Sequence, residues 1–375
     1  MILAYSVYFG LMIALVVFWA QPARQAALGR DPGLETGTVA ALLSVALFTV
    51  LIGGRYNVGG DFFGYIDYYR YASLGDRAGD VPFEPGFLAL IHLLKLFQLP
   101  DRSIIVASSF LQILLFSLWL RKKPTISPFV VFACVALLLL DLNNIVRQGI
   151  AFFALLLALA ALNERRWIVF LAWVVFGGLF HRSALMMLPI GAVLYWLRVP
   201  PVSAQIVALA FSYATVGVFF EQVVGAFTFA ANILGYSSYT DISRADLAFE
   251  QNFNPSLNLG VYLWVAVDIA IILYSGVMSR RYANMGYRYY HNSFLIAALL
   301  QPVANTWDFI PFARALFYFV AMRAICVGFT LHYCLVESRR PRDIAAAVGI
   351  SLAFVMWLAV AVWRGAAWSS PYQFW

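Results

Sequence analysis

The sequence predicts an all-α, polytopic membrane protein. Of its 375 residues, 63% are hydrophobic and 11% are charged, whereas soluble domains average about 45–50% and about 25%. The apolar residues form long runs, and a helix needs roughly 20 mostly apolar residues to cross a bilayer. About twelve transmembrane helices are therefore predicted, from the runs 2–20, 37–54, 102–120, 127–142, 148–163, 167–181, 184–197, 202–220, 257–278, 290–305, 313–335 and 343–362.

Two kinds of run need interpretation. The first run, 2–20, is interpreted as a retained helix, because no basic residue precedes it and no clean small-residue cleavage site follows it. Runs as short as 184–197 must extend into flanking residues or lie where the bilayer is thinner.

The stretch 84–100 is short, has a proline near its start and contains His92 and Lys95. It is predicted to be a re-entrant or interfacial helix.

The net charge of +7 would suggest a nucleic-acid ligand in a soluble protein, but here the positive-inside rule accounts for it. If 84–100 does not span, 14 of the 25 basic residues share one side, which is then the cytoplasm, and both termini face the periplasm of a bacterial inner membrane. No nucleic-acid partner is expected. The residues on that side are Arg24, Arg30, Arg121, Lys122, Lys123, Arg165, Arg166, Arg198, Arg280, Arg281, Arg288, Arg339, Arg340 and Arg342.

No internal repeat, low-complexity tract or soluble domain interrupts the runs, so residues 1–375 are predicted to form a single transmembrane domain. Its longest outer loops are 55–84 and 221–256, which the topology places in the periplasm. The three cysteines, Cys134, Cys326 and Cys334, lie in apolar stretches. Buried thiols are expected there rather than disulfides or metal ligands.

Polar residues from six segments collect at the predicted outer helix ends. Charge near the hydrocarbon costs a few kcal/mol, on insertion scales about 2.5–3.5 kcal/mol, unless it lines a cavity or meets a partner. A converging polar cavity is therefore predicted. Its candidate residues are Arg55, Asp61, Asn144, Arg147, Gln148, His181, Arg182, Tyr236, Tyr239, Asp308 and Arg314.

The segment LDLNNIVRQGIA, 141–152, has the strongest anion-binding pattern. Asn144, Arg147 and Gln148 share one face of a helix. A guanidinium between amides suits a diester or diphosphate, because its planar fork donates two parallel hydrogen bonds. The alternative is an ion pair of Arg147 with Asp141 or Asp308 that closes a helix end.

The segment GGRYNVGGDFFGY, 53–65, joins glycines to opposite charges. The glycines permit tight turns and close approach, which would let Asp61 reach inward. Tyr65 begins a series of tyrosines that suits either an interfacial belt or a wall for stacking sugars. The acidic residues Asp76, Asp80 and Glu84 follow without any metal-ligand spacing, so a solvated acidic loop is expected.

Two further polar residues each have two interpretations. His181 follows an apolar run in GGLFHRSALMMLP, where a histidine either caps a helix or accepts a proton from a sugar hydroxyl. Asp268 lies near the middle of the ninth run, as a paired structural residue or as part of a polar path.

Five motifs in order resemble the signatures of EpsG-type, Wzy-like polysaccharide polymerases. They are GGRYNVGGDFFGY with FEPGF, NNIVRQGIA, LFHRSAL, YSSY and FARALFYF, from about residue 53 to 319. The resemblance implies polymerisation of lipid-linked repeat units outside the inner membrane, on a helical scaffold similar to the GT-C glycosyltransferases. It assigns characteristic family positions to Arg55, Asp61, Tyr65, Glu84, Arg147, Gln148, His181, Ser183 and Arg314.

The resemblance implies undecaprenyl-diphosphate-linked oligosaccharides as donor and acceptor, with a chain-length regulator and a flippase of the same pathway as candidate partners. Arginines can stabilise the leaving diphosphate without a metal, and no cofactor is expected; a base must accept the hydroxyl proton. Asp61 is the first choice for the base, because a carboxylate among aromatic residues can have a raised pKa, and His181 is the second. The predicted substrate contacts are Arg55, Arg147, Gln148, Asn144, Arg314, Tyr65, Tyr236, Tyr239 and Glu84.

Three other functions fit parts of the same pattern. An O-antigen ligase would use the same donor but would need an outer groove for a lipid A core. A membrane O-acyltransferase would load acyl groups from the cytoplasm, whereas the His and Arg residues cluster outside. A lipid-linked oligosaccharide flippase, which is not an enzyme, would show repeat symmetry and charges through the bilayer depth, and neither is evident.

Overall fold

The computed structural model of the protein describes residues 1–30, 33–72, 84–233, 259–306 and 310–374. Of the residues in these ranges, 85% are helical, and the ranges contain no β-strand. Their α-helices are α1 Ile2–Ala27, α2 Gly33–Gly53, α3 Phe62–Tyr71, α4 Pro85–Leu96, α5 Ser103–Arg121, α6 Ser127–Asn144, α7 Val146–Asn163, α8 Trp167–Phe180, α9 Met187–Trp196, α10 Val202–Ala214, α11 Val216–Ile233, α12 Leu259–Arg281, α13 Tyr287–Thr306, α14 Ile310–Val320, α15 Met322–His332 and α16 Pro341–Trp363.

Eight stretches of the described chain are long and apolar enough to cross a membrane, which makes this a multi-pass membrane protein. They are Ile2–Ala27, Thr36–Gly53, Ser103–Arg121, Pro124–Asn144, Val146–Asn163, Gly260–Arg281, Phe312–Ser338 and Pro341–Trp363. Every one of the twelve predicted runs is largely helical. However, α8 and α9 are short, and α13 is not among the candidate spans.

The run 202–220 does not form the single straight helix that was expected. It bends by 92° at Thr215, between α10 and α11, and counts as a ninth span only if both helices are taken together. The hydroxyl of Thr215 donates to the carbonyl of Phe211 at 2.7 Å, a local bond that competes with the helix and often bends it. Residues 221–233, predicted as loop, continue α11.

Helix α4 decides how the stretch 84–100 is built. It has 12 residues, which at 1.5 Å per residue is about 18 Å, well below the roughly 30 Å of a hydrocarbon core. A helix of this length does not cross a bilayer by itself. The re-entrant or interfacial interpretation agrees with it.

The chain divides into two compact units. The first unit comprises Met1–Gly191 and Val327–Trp375, and the second comprises Ala192–Cys326. The predicted single transmembrane domain stays a prediction. In the first unit α7 is the central helix, with 89% of its membrane-span residues buried, and it packs against α5 and α8.

A break at Ile145 separates α6 from α7. Such a break frees carbonyl groups, which must find partners inside a membrane protein. Gln112 of α5 provides one: its Nε2 lies 3.3 Å from the carbonyl oxygen of Leu142 and 3.1 Å from that of Val146. This buried amide stabilises a junction from which the predicted site residues project.

The first unit has two distinct ends, and the predicted cytoplasmic residues lie toward one of them. The N-terminal half of α1, the C-terminal end of α2 and the chain's last residues meet, since Tyr8 Oη donates to the Ser369 carbonyl at 3.1 Å and the Tyr56 amide donates to the Gln373 carbonyl at 2.8 Å. At the other end Lys122 pairs with Glu164 at 2.8 Å. Which side of the membrane each end faces stays a prediction. The predicted cytoplasmic residues of this unit lie toward that other end: Arg24, Arg30, Arg121, Lys122, Lys123, Arg165, Arg166, Arg339, Arg340 and Arg342.

The second unit is held together by buried polar contacts between helices. Gln205 of α10 donates to Ser275 of α12 at 3.0 Å, and its amide oxygen lies 2.8 Å from Nε2 of His291 on α13. Asp268 forms a bidentate pair with Arg323, at 2.6 and 2.9 Å. Of its two interpretations, the structure therefore shows Asp268 as a paired residue.

Candidate functional site

Three side chains from distant parts of the sequence meet in the first unit, at the end where the loop 53–60 lies. One carboxylate oxygen of Glu84 forms an ion pair with Nη1 of Arg147, and the other lies 3.2 Å from Nδ1 of His181. The Glu84 side chain is only 4% exposed, against 21% for Arg147 and 16% for His181. The cluster is therefore enclosed, with limited access from solvent.

The position of Glu84 corrects the expectation of a solvated acidic loop. This residue is buried and paired, while Asp76 and Asp80 lie outside the described residues. Arg147 does form an ion pair, as the alternative interpretation held, but with Glu84 instead of Asp141; Asp308 lies outside the described residues. The expectation grouped Glu84 with Asp76 and Asp80, although its direct neighbours Phe83 and Pro85 are apolar.

Close packing between α4 and α8 brings Glu84 to His181. Glu84 is the N-cap of α4, with Pro85 in the first turn, and His181 ends α8 in an extended backbone conformation. A Cβ added at Gly86 would lie 2.8 Å from both the Cβ and the carbonyl oxygen of Leu179. Only glycine allows the start of α4 to approach the end of α8 this closely.

The charges around Glu84 keep it ionised. Burial by itself would raise the pKa of its carboxyl, but the hydrogen bond with His181 and the nearby charges of Arg147 and His181 outweigh burial and lower that pKa to about 2. A carboxylate next to Nδ1 orients a neutral histidine with Nδ1 as donor and Nε2 as acceptor. A neutral His181 in this contact would carry its proton on Nδ1 and present Nε2 as the acceptor, whereas the lowered pKa of Glu84 corresponds to protonated His181.

Aromatic rings surround the guanidinium of Arg147. Its central carbon lies 5.6 Å from the ring centre of Phe87 and 6.0 Å from that of Tyr68, within the range of cation–π attraction. Tyr65 is buried beside Phe87, with ring centres 5.8 Å apart, and donates to the Asn144 carbonyl at 3.2 Å. Tyr65 therefore packs into this site and does not belong to an exposed belt.

One donor of Arg147 is left over. Its Nε is buried and has no hydrogen-bond partner among the described residues. A buried donor without an acceptor is unfavourable, by about 1–3 kcal/mol. This atom therefore has capacity for an additional acceptor while Nη1 stays paired with Glu84.

Arg55 lies beneath the loop and is fully buried. Its guanidinium donates to the carbonyl groups of Ile52 at 2.6 Å, Val58 at 3.1 Å and Asn143 at 2.9 Å, and to Ser109 Oγ at 3.2 Å. These bonds hold the loop 53–60 against α5 and α6. Its predicted contact with substrate stays a prediction.

Asp61 is attached to the same junction through Asn144. Its main-chain amide donates to Asn144 Oδ1 at 2.8 Å, and its side chain is half-buried at the start of α3. Gly59 has φ +101°, and a Cβ there would lie 2.8 Å from the Asn143 carbonyl oxygen. The glycines thus permit close approach, but to the α6–α7 junction.

The structure brings only some of the predicted site residues close together. Six predicted residues lie around the cluster and its loop, namely Asp61, Tyr65, Glu84, Asn144, Arg147 and His181, with Gln148 buried one residue beyond Arg147. Arg314 belongs to the second unit, and Tyr236 and Tyr239 lie outside the described residues. The convergence of these three with the cluster stays a prediction.

Sequence reasoning missed the C-terminal segment, residues 365–374. The Gly59 amide donates to the Trp368 carbonyl at 3.3 Å, Arg55 and Phe374 form an isolated β-bridge, and the buried Tyr372 donates to the Leu51 carbonyl. The signal available was a group of aromatic residues, WSSPYQFW, after the last apolar run. No motif marked it.

Two findings bear on metal and thiol chemistry. Within the described ranges, no group of three His, Cys, Asp or Glu residues is arranged to hold a metal ion. Cys134, Cys326 and Cys334 are buried free thiols, as predicted.

These observations define a multi-pass helical membrane protein with an enclosed Glu–Arg–His cluster at one end of its first unit. The chain belongs to the EpsG family, whose model matches residues 38–374. Membership confirms the resemblance in the motifs and indicates a membrane polysaccharide polymerase of glycosyltransferase type. Comparisons with curated proteins and with solved structures gave no match.

Proposed function

We propose that this protein transfers a growing glycan from undecaprenyl diphosphate to a sugar hydroxyl of an incoming lipid-linked repeat unit, at the periplasmic face of a bacterial inner membrane. One observation carries the proposal: Glu84 contacts both Arg147 and His181. This shared contact puts the guanidinium of Arg147, which can bind an anion, near the imidazole of His181. In glycosyl transfer from a diphosphate, the guanidinium can stabilise the leaving group and the imidazole can accept the proton of the acceptor hydroxyl.

Arg147 binds the diphosphate in this proposal. Its Nη1 is paired with Glu84, whereas its buried Nε has no partner among the described residues. A phosphate oxygen at Nε would satisfy that donor without breaking the ion pair. Charge-assisted bonds to the leaving oxygen then stabilise the negative charge that develops as the glycosidic C–O bond breaks.

His181 is the base, and Glu84 is the group that orients it. The acceptor hydroxyl gives its proton to Nε2, its oxygen bonds to the anomeric carbon, and undecaprenyl diphosphate departs with the electrons of the broken bond. Glu84 stabilises the imidazolium that results, because its own pKa of about 2 keeps it ionised. This reverses the preference from sequence, and Asp61 becomes an acceptor-binding residue.

Two matched variants test the assignment. His181→Gln should lose detectable polymer, since a general base contributes about 10²–10⁴ in rate, while Asp61→Asn should keep substantial turnover. Purified proteins would be given lipid-linked repeat units, and product length, thermal stability and lipid-substrate binding would be measured. His92→Gln, on the half-buried side of α4, serves as the control. A dead, folded Asp61→Asn beside an active His181→Gln would return the base to Asp61.

The proposal includes metal-independent catalysis, because Arg147 supplies the positive charge that a metal would supply elsewhere. Activity should survive EDTA. Loss in EDTA with rescue by Mg²⁺ or Mn²⁺ would require a metal site.

A strain lacking the protein should accumulate single capped repeats. Accumulation of lipid-linked polymer would instead favour a ligase, and loss of acetyl groups would favour an acyltransferase.

The membrane arrangement is also part of the proposal. We infer a scaffold similar to the GT-C glycosyltransferases with about twelve passes, in which α8, α9 and α13 are further membrane-embedded helices. The separation of the basic residues from the Glu84 cluster within the first unit supports a periplasmic site. A chain-length regulator and a flippase of the same pathway are the expected partners.

A further inference from the structure

Trp368 presents its ring at the loop that carries Asp61. The residue is 68% exposed. A Cβ added at Gly60 would lie 3.5 Å from Cδ1 of its indole and 3.2 Å from Oδ1 of Asn144. The ring therefore borders the same glycine as Asn144, directly before Asp61.

The backbone that supports this ring is unusual and well anchored. Ala367 has φ +51° and Trp368 has φ +56°, a left-handed conformation that residues other than glycine seldom adopt. The carbonyl of Trp368 accepts from Gly59, and that of Ser369 accepts from Tyr8. The indole is thus exposed from a backbone that the protein holds in place.

We propose that Trp368 forms a sugar-binding subsite, on which a pyranose ring of the lipid-linked glycan stacks. This inference rests on the proposed polymerase function and adds a residue that positions the substrate. The C–H face of a pyranose complements the electron-rich face of an indole, and the indole N–H can donate to a ring hydroxyl. The Asn144 side chain borders the same glycine as the ring, so it is the polar group at hand for a remaining hydroxyl.

The alternative occupant is the lipid headgroup region, where Trp is common. The geometry favours the glycan because the indole lies against Gly60 of the site loop, where the Asn144 amide oxygen also lies, and Asp61 is the next residue in the chain. Trp363, the last residue of α16, offers a comparison. It is 62% exposed and lies five residues before Trp368, at the end of the helix.

The test compares Trp368→Leu, Trp368→Phe and Trp363→Leu in the full-length protein. Initial rates would be measured against the concentration of lipid-linked repeat units from the producing strain, with thermal unfolding in parallel. Trp368→Leu should raise KM about tenfold, the equivalent of about 1.4 kcal/mol, with kcat within about twofold. Trp368→Phe should restore most of the affinity, and Trp363→Leu should match the wild type.

Two results would overturn the subsite. One is an unchanged KM in Trp368→Leu; the other is an equal rise in Trp363→Leu, which would indicate interfacial anchoring. Saturation-transfer NMR with the lipid-free repeat-unit oligosaccharide measures binding without turnover. A wild type that binds this sugar through Trp368 but makes no polymer would refute the polymerase and keep the subsite. Were Trp368→Leu to misfold, the same NMR comparison of Trp368→Phe with the wild type decides, because a smaller ring should weaken but keep the sugar signal.

Discussion

Glu84→Gln should both destabilise the protein and stop polymerisation. The substitution keeps the shape of the side chain but leaves Arg147 as a largely buried charge without its partner, and such losses cost about 3–5 kcal/mol. The pKa of Glu84 gives a second figure. It falls from 4.5 to about 2, and about 2.5 pKa units at 1.36 kcal/mol each correspond to about 3 kcal/mol.

The pH dependence has a definite sign. The folded-state pKa of Glu84 is depressed, so its stabilising contribution is fully present above pH 4.5 and is lost as pH falls from 4.5 to about 2. Glu84→Gln should therefore lower the free energy of unfolding by about 3 kcal/mol at pH 7 and flatten the acid limb. Polymerisation should fall at least about 100-fold, because His181 loses its orienting carboxylate.

Thermal unfolding of purified protein between pH 2 and 7 would measure the stability effect. The control is Glu164→Gln, whose exposed pair with Lys122 should contribute only about 0.2–1 kcal/mol. The double variant Glu84→Gln/Arg147→Gln should lose less stability than the two single variants together, since residues in one ion pair couple. The reasoning would be refuted if the stability losses of the two single variants simply added in the double variant and if Glu84→Gln unfolded at the same temperature as the wild type.

The remaining predictions concern packing, charge geometry and topology. Gly86→Ala should lower activity several-fold, since its Cβ would lie 2.8 Å from Leu179; an unaffected rate would mean that α4 can shift. Arg147→Lys should impair polymerisation, because an ammonium cannot reproduce the planar fork; near-normal polymer length would leave only a generic charge role. Cysteine at Asp76 should react with an impermeant reagent in intact spheroplasts and cysteine at Arg165 only after lysis; the reverse pattern would invert the topology.

The helical fold was largely predictable from the sequence because hydropathy is a local property. In lipid the backbone must satisfy its own hydrogen bonds, so an apolar run is nearly always a helix. Helix ends were less predictable. The break at Ile145 depends on Gln112 from another helix to satisfy its carbonyls, and the bend at Thr215 turns a predicted span into two helices.

Some residues of the candidate site were also predictable, because local hydropathy makes them stand out. Arg147 and His181 were recognisable because polar side chains at the end of apolar runs are conspicuous. Glu84 was named as a substrate contact but was also grouped with Asp76 and Asp80 in a solvated loop, and no local pattern indicated that it pairs with Arg147 and His181. The contact of Arg55 with substrate stays a prediction, and the bonds of its guanidinium to the loop carbonyls depend on tertiary packing that no local pattern shows.

Sequence alone therefore determined the membrane class, the helices, the family motifs and the residue types suited to a diphosphate and a proton. Only the tertiary structure decided which of them meet. Glu84 is 63 residues from Arg147 and 97 from His181, and Trp368 lies against Gly60 from the far end of the chain. Helix packing sets such contacts through fits as close as that of Gly86 against Leu179, and these fits depend on both surfaces at once, which no single stretch of sequence contains.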